Sequence, residues 1–181
     1  MLKLLDKINV LPIVKAHVDT LTDNRTHKKS LSDYGLFFGV PLILALALVM
    51  VNIRQAGNLT DLKVESEVRN VVGISFAILV GLLFNVLLII FDVTSKEPGF
   101  SESSDRKLKF FKEVYANLAF SILVALLCLP VLLASIFVSG YVAAALSGLI
   151  YYLGGVFVLT LLMVLKRIHF LFKDQIAQLP L

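Results

Sequence analysis

The chain is poor in the residues from which catalytic and metal sites are built. Its 181 residues include one cysteine, Cys128, and three histidines that lie far apart, His17, His27 and His169. A single cysteine excludes an intramolecular disulfide and a multi-cysteine metal site within one chain. No HExxH motif, nucleophile elbow or phosphate-binding loop occurs in the sequence. We therefore expect no catalytic residues, no metal site and no cofactor, and predict that the chain is not an enzyme.

Charge is also absent from three long stretches, the first of which covers residues 35–53. Residues 71–91 carry no charged side chain, and neither do the 52 positions of 114–165. At 1.5 Å per residue, a helix over 71–91 reaches about 31 Å, close to the ~30 Å hydrocarbon core of a bilayer. The whole chain is 58% hydrophobic, whereas soluble domains average about 45 to 50%. The composition predicts an all-α integral membrane protein.

The apolar pattern predicts a bundle of four transmembrane helices. A charge-free stretch of 52 residues is too long for one crossing, so it should hold two helices joined by a tight turn near Ser139 and Gly140. The predicted layout is a cytosolic or interfacial segment at 1–34, spans at about 35–53, 71–91, 114–138 and 141–165, a cytosolic connection at 93–113 and a basic tail at 166–181.

The segment before the first span has helical periodicity. Ile13, His17 and Leu21 are four residues apart, and Pro12 suits the first turn of a short helix. Such an amphipathic segment could lie on the membrane surface or dock on another protein, and the sequence leaves both open. Because no signal peptide precedes it, we expect the first span to direct insertion.

The distribution of Lys and Arg predicts the orientation. Fourteen lie in the N-terminal segment, the 93–113 connection and the C-terminal tail, against three in the 54–70 loop. Basic residues concentrate on the cytoplasmic side of membrane proteins, so both termini should be cytoplasmic. No direct contact with nucleic acid is expected. Six of these basic residues are candidates for contact with a cytosolic partner or with membrane lipid: Arg106, Lys107, Lys109, Lys112, Lys166 and Arg167.

Small residues and amides recur at four-residue spacing along the spans. Such a stripe lets another helix approach closely, and an amide in lipid needs a partner within protein. The residues predicted to form helix-packing or oligomer contacts are Gly73, Ala77, Gly81, Asn85, Asn117, Ser121 and Gly148. We expect a homo-oligomer. Two alternatives stay open: all stripes may be satisfied within one bundle, or the amides and serines may line the axis of a pore.

The four-span layout, the basic cytosolic segments and the stretch GLLFNVLLIIFD at 81–92 resemble small membrane proteins of bacterial phage-defence operons. The similarity is greatest to the KwaA family, the membrane subunits of the two-component Kiwa system, and RexB phage-exclusion proteins have a similar layout. The resemblance implies an inner-membrane oligomer, tetrameric in that family, that senses phage attack and works with a cytosolic DNA-binding partner, KwaB. It assigns no functional residues.

Three functional hypotheses follow. The first is a sensor and scaffold whose helix packing changes along the stripe of the second span and alters the cytosolic segments. The second is a pore that depolarises the cell. The third is an accessory subunit of a transporter. The spans lack the ionisable groups that proton and ion pathways use, which disfavours transport by this chain itself.

Overall fold

The computed structural model describes residues 9–21, 34–58, 63–64, 66–96 and 105–176. Side chains are described over the same ranges except for 93–96, 105–108 and 170–176. Across this part of the chain the structure consists of five α-helices and one short π-helical segment, without a strand. The prediction of an all-α protein is confirmed.

Helix α1 spans Leu11–Asp19, and a π-helical segment at Gly35–Gly39 leads into α2 at Val40–Ala56. The remaining helices are α3 (Ser66–Lys96), α4 (Asp105–Ala134) and α5 (Gly140–Ile176). Among the described residues, four stretches are long and apolar enough to cross a membrane, as the sequence predicts: Gly35–Ala56, Ser66–Asp92, Lys109–Ala134 and Gly140–His169. The chain therefore has the architecture of a multi-pass membrane protein.

The turn between α4 and α5 begins earlier than the charge pattern suggests. Helix α4 ends at Ala134, four residues before the predicted end of the third span. Pro130 lies inside α4 four residues before its end, where it removes a backbone donor and weakens the helix. Gly140 begins α5 with a φ of +68°, a left-handed conformation that suits glycine. Local backbone chemistry therefore sets this turn.

The helices also extend beyond the apolar stretches. Arg54 lies in the last turn of α2, and Glu67 and Arg69 lie in the first turns of α3. These residues were predicted to belong to the 54–70 loop. Charged side chains limit the part of a helix that enters hydrocarbon, but they do not end the helix itself.

Helix α4 is the central helix of the membrane domain. In its most apolar stretch 61% of residues are buried, against 17% in the first span and 11% in α3. Helix α5 packs on both α4 and α2, whereas α3 packs mainly on α4. Phe76 of α3 also contacts Phe157 of α5, with ring centroids 4.7 Å apart. The membrane helices are thus neighbours in the order α2, α5, α4, α3.

Small residues of α5 allow α2 to approach closely. A methyl group added to Gly155 would lie 2.9 Å from Cβ of Pro41, and one added to Gly148 would lie 3.2 Å from Cγ2 of Val49. Farther along this seam, the side-chain amide of Asn52 donates to the Tyr151 hydroxyl at 2.8 Å. Gly148 is therefore a packing residue within the protomer.

Gly155→Ala should destabilise the protein, and the neighbouring Gly154→Ala should not. Both changes favour the helix, because alanine loses less backbone entropy than glycine. Only Gly155 faces the rigid ring of Pro41, whereas a methyl group on Gly154 meets nothing within 4 Å. Overpacking of this kind costs about 1 to 3 kcal/mol. Thermal unfolding in detergent should show a lower midpoint for Gly155→Ala than for Gly154→Ala. Equal midpoints would contradict the close approach.

Candidate functional site

Helix α1 is held against the membrane helices by one of its faces. Pro12 lies in its first turn, as predicted, and the Leu11 backbone N–H donates to Oδ1 of Asn9 at 3.1 Å. The four-residue spacing brings Ile13, His17 and Leu21 toward α4, where His17 and Leu21 are buried. Helix α1 therefore docks on this chain's own helices, an arrangement outside the two that the sequence leaves open.

The His17 ring lies between two phenylalanines. It stacks on Phe120 of α4 with centroids 3.8 Å apart and planes within 3°. Phe37 of the π-helical segment meets the ring edge to face, with centroids 6.2 Å apart and planes at 78°. Because a π-helical turn shifts the register of the side chains that follow, this segment is suited to aim Phe37 at the docked helix. His17 has no exposed surface.

A hydrogen bond joins His17 to the interior of α4. Nδ1 of His17 lies 2.7 Å from Oδ1 of Asn117, which is also fully buried. Because the amide oxygen accepts, Nδ1 carries the proton and Nε2 is the unprotonated nitrogen. The Thr20 hydroxyl lies 3.0 Å from the same amide oxygen and 2.7 Å from the His17 carbonyl oxygen, and donates its one proton to either. The side-chain oxygen of Asn117 is thus satisfied by α1.

Helix α5 reaches the same site through Arg167. Nη2 of Arg167 donates to the Thr20 carbonyl oxygen at 2.9 Å. Nη1 lies 3.1 Å from Oε2 of Glu113 on α4, but its N–H does not point at that oxygen. The second contact is therefore an ion pair without a hydrogen bond. Arg167 links the end of α1 to the beginning of α4.

Three buried polar atoms of the site form no hydrogen bond in the described structure, and one of them is Nη1 of Arg167, which takes part in the ion pair with Glu113. Nε2 of His17 and Nδ2 of Asn117 are buried and accept or donate no hydrogen bond there. Leaving such atoms unpaired costs about 1 to 3 kcal/mol each. Ring stacking and the paired polar atoms therefore hold the site together, against the free-energy cost of the unpaired atoms.

Burial keeps His17 neutral. Desolvation lowers the pKa of His17 to about 4 from its usual 6.5, and the nearby Arg167 guanidinium acts in the same direction. The hydrogen bond with Asn117 partly opposes this shift in pKa. A proton added to the docked ring would form a second cation beside Arg167 in a water-poor site.

The chemistry of the site suits mechanical coupling. Among the described residues, no three histidine, cysteine, aspartate or glutamate side chains come together as metal ligands would. The site does bring together α1, α4, α5 and the π-helical segment at one end of the membrane domain. A movement of α4 against α5 would change the position of α1.

The predicted packing residues occupy two different environments. Asn117 and Ser121 are fully buried in α4, where the Ser121 hydroxyl donates to the Asn117 backbone carbonyl at 2.9 Å. On α3, Ala77, Gly81 and Asn85 are exposed and Gly73 is half-buried. A methyl group added to Gly73 or Gly81 would meet nothing within 4 Å. The stripe of α3 therefore faces away from the protomer's own helices.

The predicted basic contacts are similarly divided. Lys109, Lys112 and Lys166 are exposed, whereas Arg167 is half-buried and engaged with Glu113 and Thr20. The side chains of Arg106 and Lys107 lie outside the described residues. Arg167 thus acts within the protomer.

The sequence analysis missed His17, Thr20 and Glu113 as members of a site. One signal for His17 was present, because its spacing from Ile13 and Leu21 assigns it to the apolar face of α1. A histidine on such a face needs a polar partner, and Asn117 needs one for the same reason. Nothing in the sequence pairs these two residues, which are 100 positions apart.

Comparisons with protein-family models, with curated proteins and with solved structures find no match to this chain.

Acidification should release α1. His17 titrates at 6.5 when exposed and at about 4 when docked, so the undocked state binds more protons between these values. The free energy that neutral His17 contributes to the docking of α1 is complete above pH 6.5. About 3 kcal/mol of it is lost as the pH falls to 4. A spin label on Ala16→Cys, an exposed position of α1, should become mobile over this range; buried Cys128 stays unlabelled.

His17→Phe provides the control for this titration. Phenylalanine keeps a ring for stacking on Phe120 and cannot bind a proton, while every carboxylate stays in place. The label should then show no mobility change attributable to position 17. The same transition in wild type and in His17→Phe would contradict the role of His17.

Proposed function

We propose that this chain is a non-enzymatic membrane sensor and scaffold that passes a change in helix packing to a cytosolic partner. The observation that carries the proposal is the fully buried hydrogen bond between His17 and Asn117. It fixes α1, a helix within the N-terminal segment, to the central helix of the membrane domain. The resemblance to KwaA-like membrane subunits supplies the biological setting, defence of a bacterium against phage.

The contacts of Arg167 also support the transmission of a packing change from the membrane helices to the cytosolic segments. This side chain contacts the Thr20 carbonyl and Glu113, and therefore joins the basic ends of α4 and α5 to α1. The distribution of Lys and Arg indicates that this end of the domain and both termini are cytoplasmic. The resemblance implies that the membrane is the bacterial inner membrane. A partner bound to the cytosolic segments would respond to rearrangement of these helices. A KwaB-like DNA-binding protein is the partner that the resemblance suggests.

Self-association is the second part of the proposal. Asn85 is exposed in the middle of an apolar helix and has no partner in the described part of the protomer. Acyl chains cannot form hydrogen bonds with an amide, and the adjacent small residues permit a second helix to approach. We propose that α3 forms the contact between protomers of a homo-oligomer, with a tetramer suggested by the resemblance.

A pore is less well supported than a scaffold. Asn117 and Ser121 are fully buried within the protomer, whereas Asn85 faces outward on another helix. These polar residues therefore cannot line one shared axis in this arrangement of helices. Asn85 and the small residues of α3 would have to line it alone.

Replacement of the α3 stripe should separate association from folding. Gly81→Leu adds bulk to the outward face of α3, and Asn85→Leu removes the amide from it. Each change should therefore dissociate the oligomer. Neither change meets the protomer's own helices, since Gly81 has open space beside it and Asn85 is exposed. Native mass spectrometry should show monomers, with a thermal midpoint close to that of wild type. Leu82→Phe, which alters an exposed residue away from the stripe, should leave the oligomer intact.

Expression of this chain alone should leave the membrane potential unchanged. A scaffold opens no conductive path, so a potential-sensitive dye should report the same value in cells with and without the chain. When the chain is expressed together with the genes that neighbour its own, purification in detergent should recover a soluble protein bound to it. Collapse of the potential by the chain alone would favour the pore, and recovery of a second polytopic membrane protein would favour a transporter subunit.

A further inference from the structure

An open groove of about 490 Å³ runs along a flank of α1 beside its docked face. Its apolar lining residues are Leu11, Pro12, Val14 and Val18, and its polar lining residues are Lys15 and Asn9. Lys15 and Leu11 follow each other on one flank, because four residues separate them on the helix. We call this feature the α1 groove.

The contacts of His17 place the C-terminal half of α1 relative to the membrane helices. His17 stacks on Phe120, which lies six residues, or about 9 Å, beyond the first residue of the charge-free stretch 114–165. Helix α1 therefore lies beside the first two turns of that stretch, where hydrocarbon meets the lipid headgroups. Leu11 is 70% exposed and Val10 is 39% exposed at this boundary. Apolar side chains in such a position face acyl chains.

Lys15 is the one charged side chain among the described residues that line the groove. Lys15 is exposed and forms no ion pair with any described residue. Exposed Lys112 and Lys166 add positive charge at the same end of the membrane helices. An ammonium group at the edge of hydrocarbon is stabilised by an anionic group at headgroup level.

We propose that the α1 groove binds an anionic phospholipid, with an acyl chain against Leu11, Val14 and Val18 and the phosphate at Lys15. The apolar lining and the single cation match the two parts of such a lipid. The side-chain amide of Asn9 has its oxygen engaged by the Leu11 N–H, so its amide hydrogens can donate to the same phosphate or to glycerol oxygens. The lipid would lie against the helix that His17 docks.

Native mass spectrometry of the full chain in detergent tests the proposal. The probes are phosphatidylglycerol and phosphatidylcholine with identical acyl chains. Phosphatidylglycerol should bind first and more tightly. Lys15→Gln should weaken the affinity for phosphatidylglycerol about fivefold, which is the effect of one surface cation on an anionic lipid. Leu11→Gln should weaken the binding of both lipids, because Leu11 is part of the apolar lining. The fold should not change, because Leu11 is largely exposed.

Lys63→Gln is the matched control, since Lys63 is exposed and lies between α2 and α3 at the opposite end of the membrane helices. Its affinity for phosphatidylglycerol should equal that of wild type. Equal losses in Lys15→Gln and Lys63→Gln would indicate attraction by net charge and overturn the site. An effect of Lys15→Gln without an effect of Leu11→Gln would overturn the acyl-chain part. Equal affinity for the two lipids in wild type would overturn the proposal as a whole.

Discussion

A carboxamide buried inside a membrane helix is the constraint on which the described structure depends. Asn117 is fully enclosed near the beginning of the charge-free stretch of α4, and hydrocarbon offers its oxygen no hydrogen bond. The donors come from His17 and Thr20, residues that precede every membrane helix. Satisfying the oxygen of one amide therefore draws α1 into the membrane domain. Because Arg167 binds the carbonyl of Thr20, the same docking also fixes α5.

The two sides of the domain are held by different forces. Helix α5 meets α2 through small residues that permit close contact, and Gly155 against Pro41 leaves no space for a methyl group. Helix α3 is held mainly by apolar contact with α4, and only 11% of its most apolar stretch is buried. A rearrangement of helices would therefore meet less resistance at α3 than at α5. This contrast agrees with the proposed use of α3 for contact between protomers.

Much of the fold could be predicted because a bilayer permits few structures. The charge-free stretches determine four membrane helices, since an unpaired backbone in lipid is prohibitively unfavourable. Helix ends were harder, because Arg54 and Arg69 lie within helices that continue past the hydrocarbon. For the site, the need of Asn117 for a partner was evident from its position, but the choice of His17 depends on how distant elements pack. Likewise, sequence spacing marks Gly81 and Gly148 alike, and only the assembled helices distinguish an outward residue from one facing Val49.

The contact between Arg167 and Thr20 joins residues 147 positions apart. During synthesis, α1 leaves the ribosome long before the side chain that completes its binding site. His17 must therefore remain without its final surroundings while the intervening helices are inserted, and the last helix closes the arrangement. The position of the first helix thus depends on whether the last one has been inserted, so that an incompletely inserted chain differs from a finished one at this end of the membrane domain.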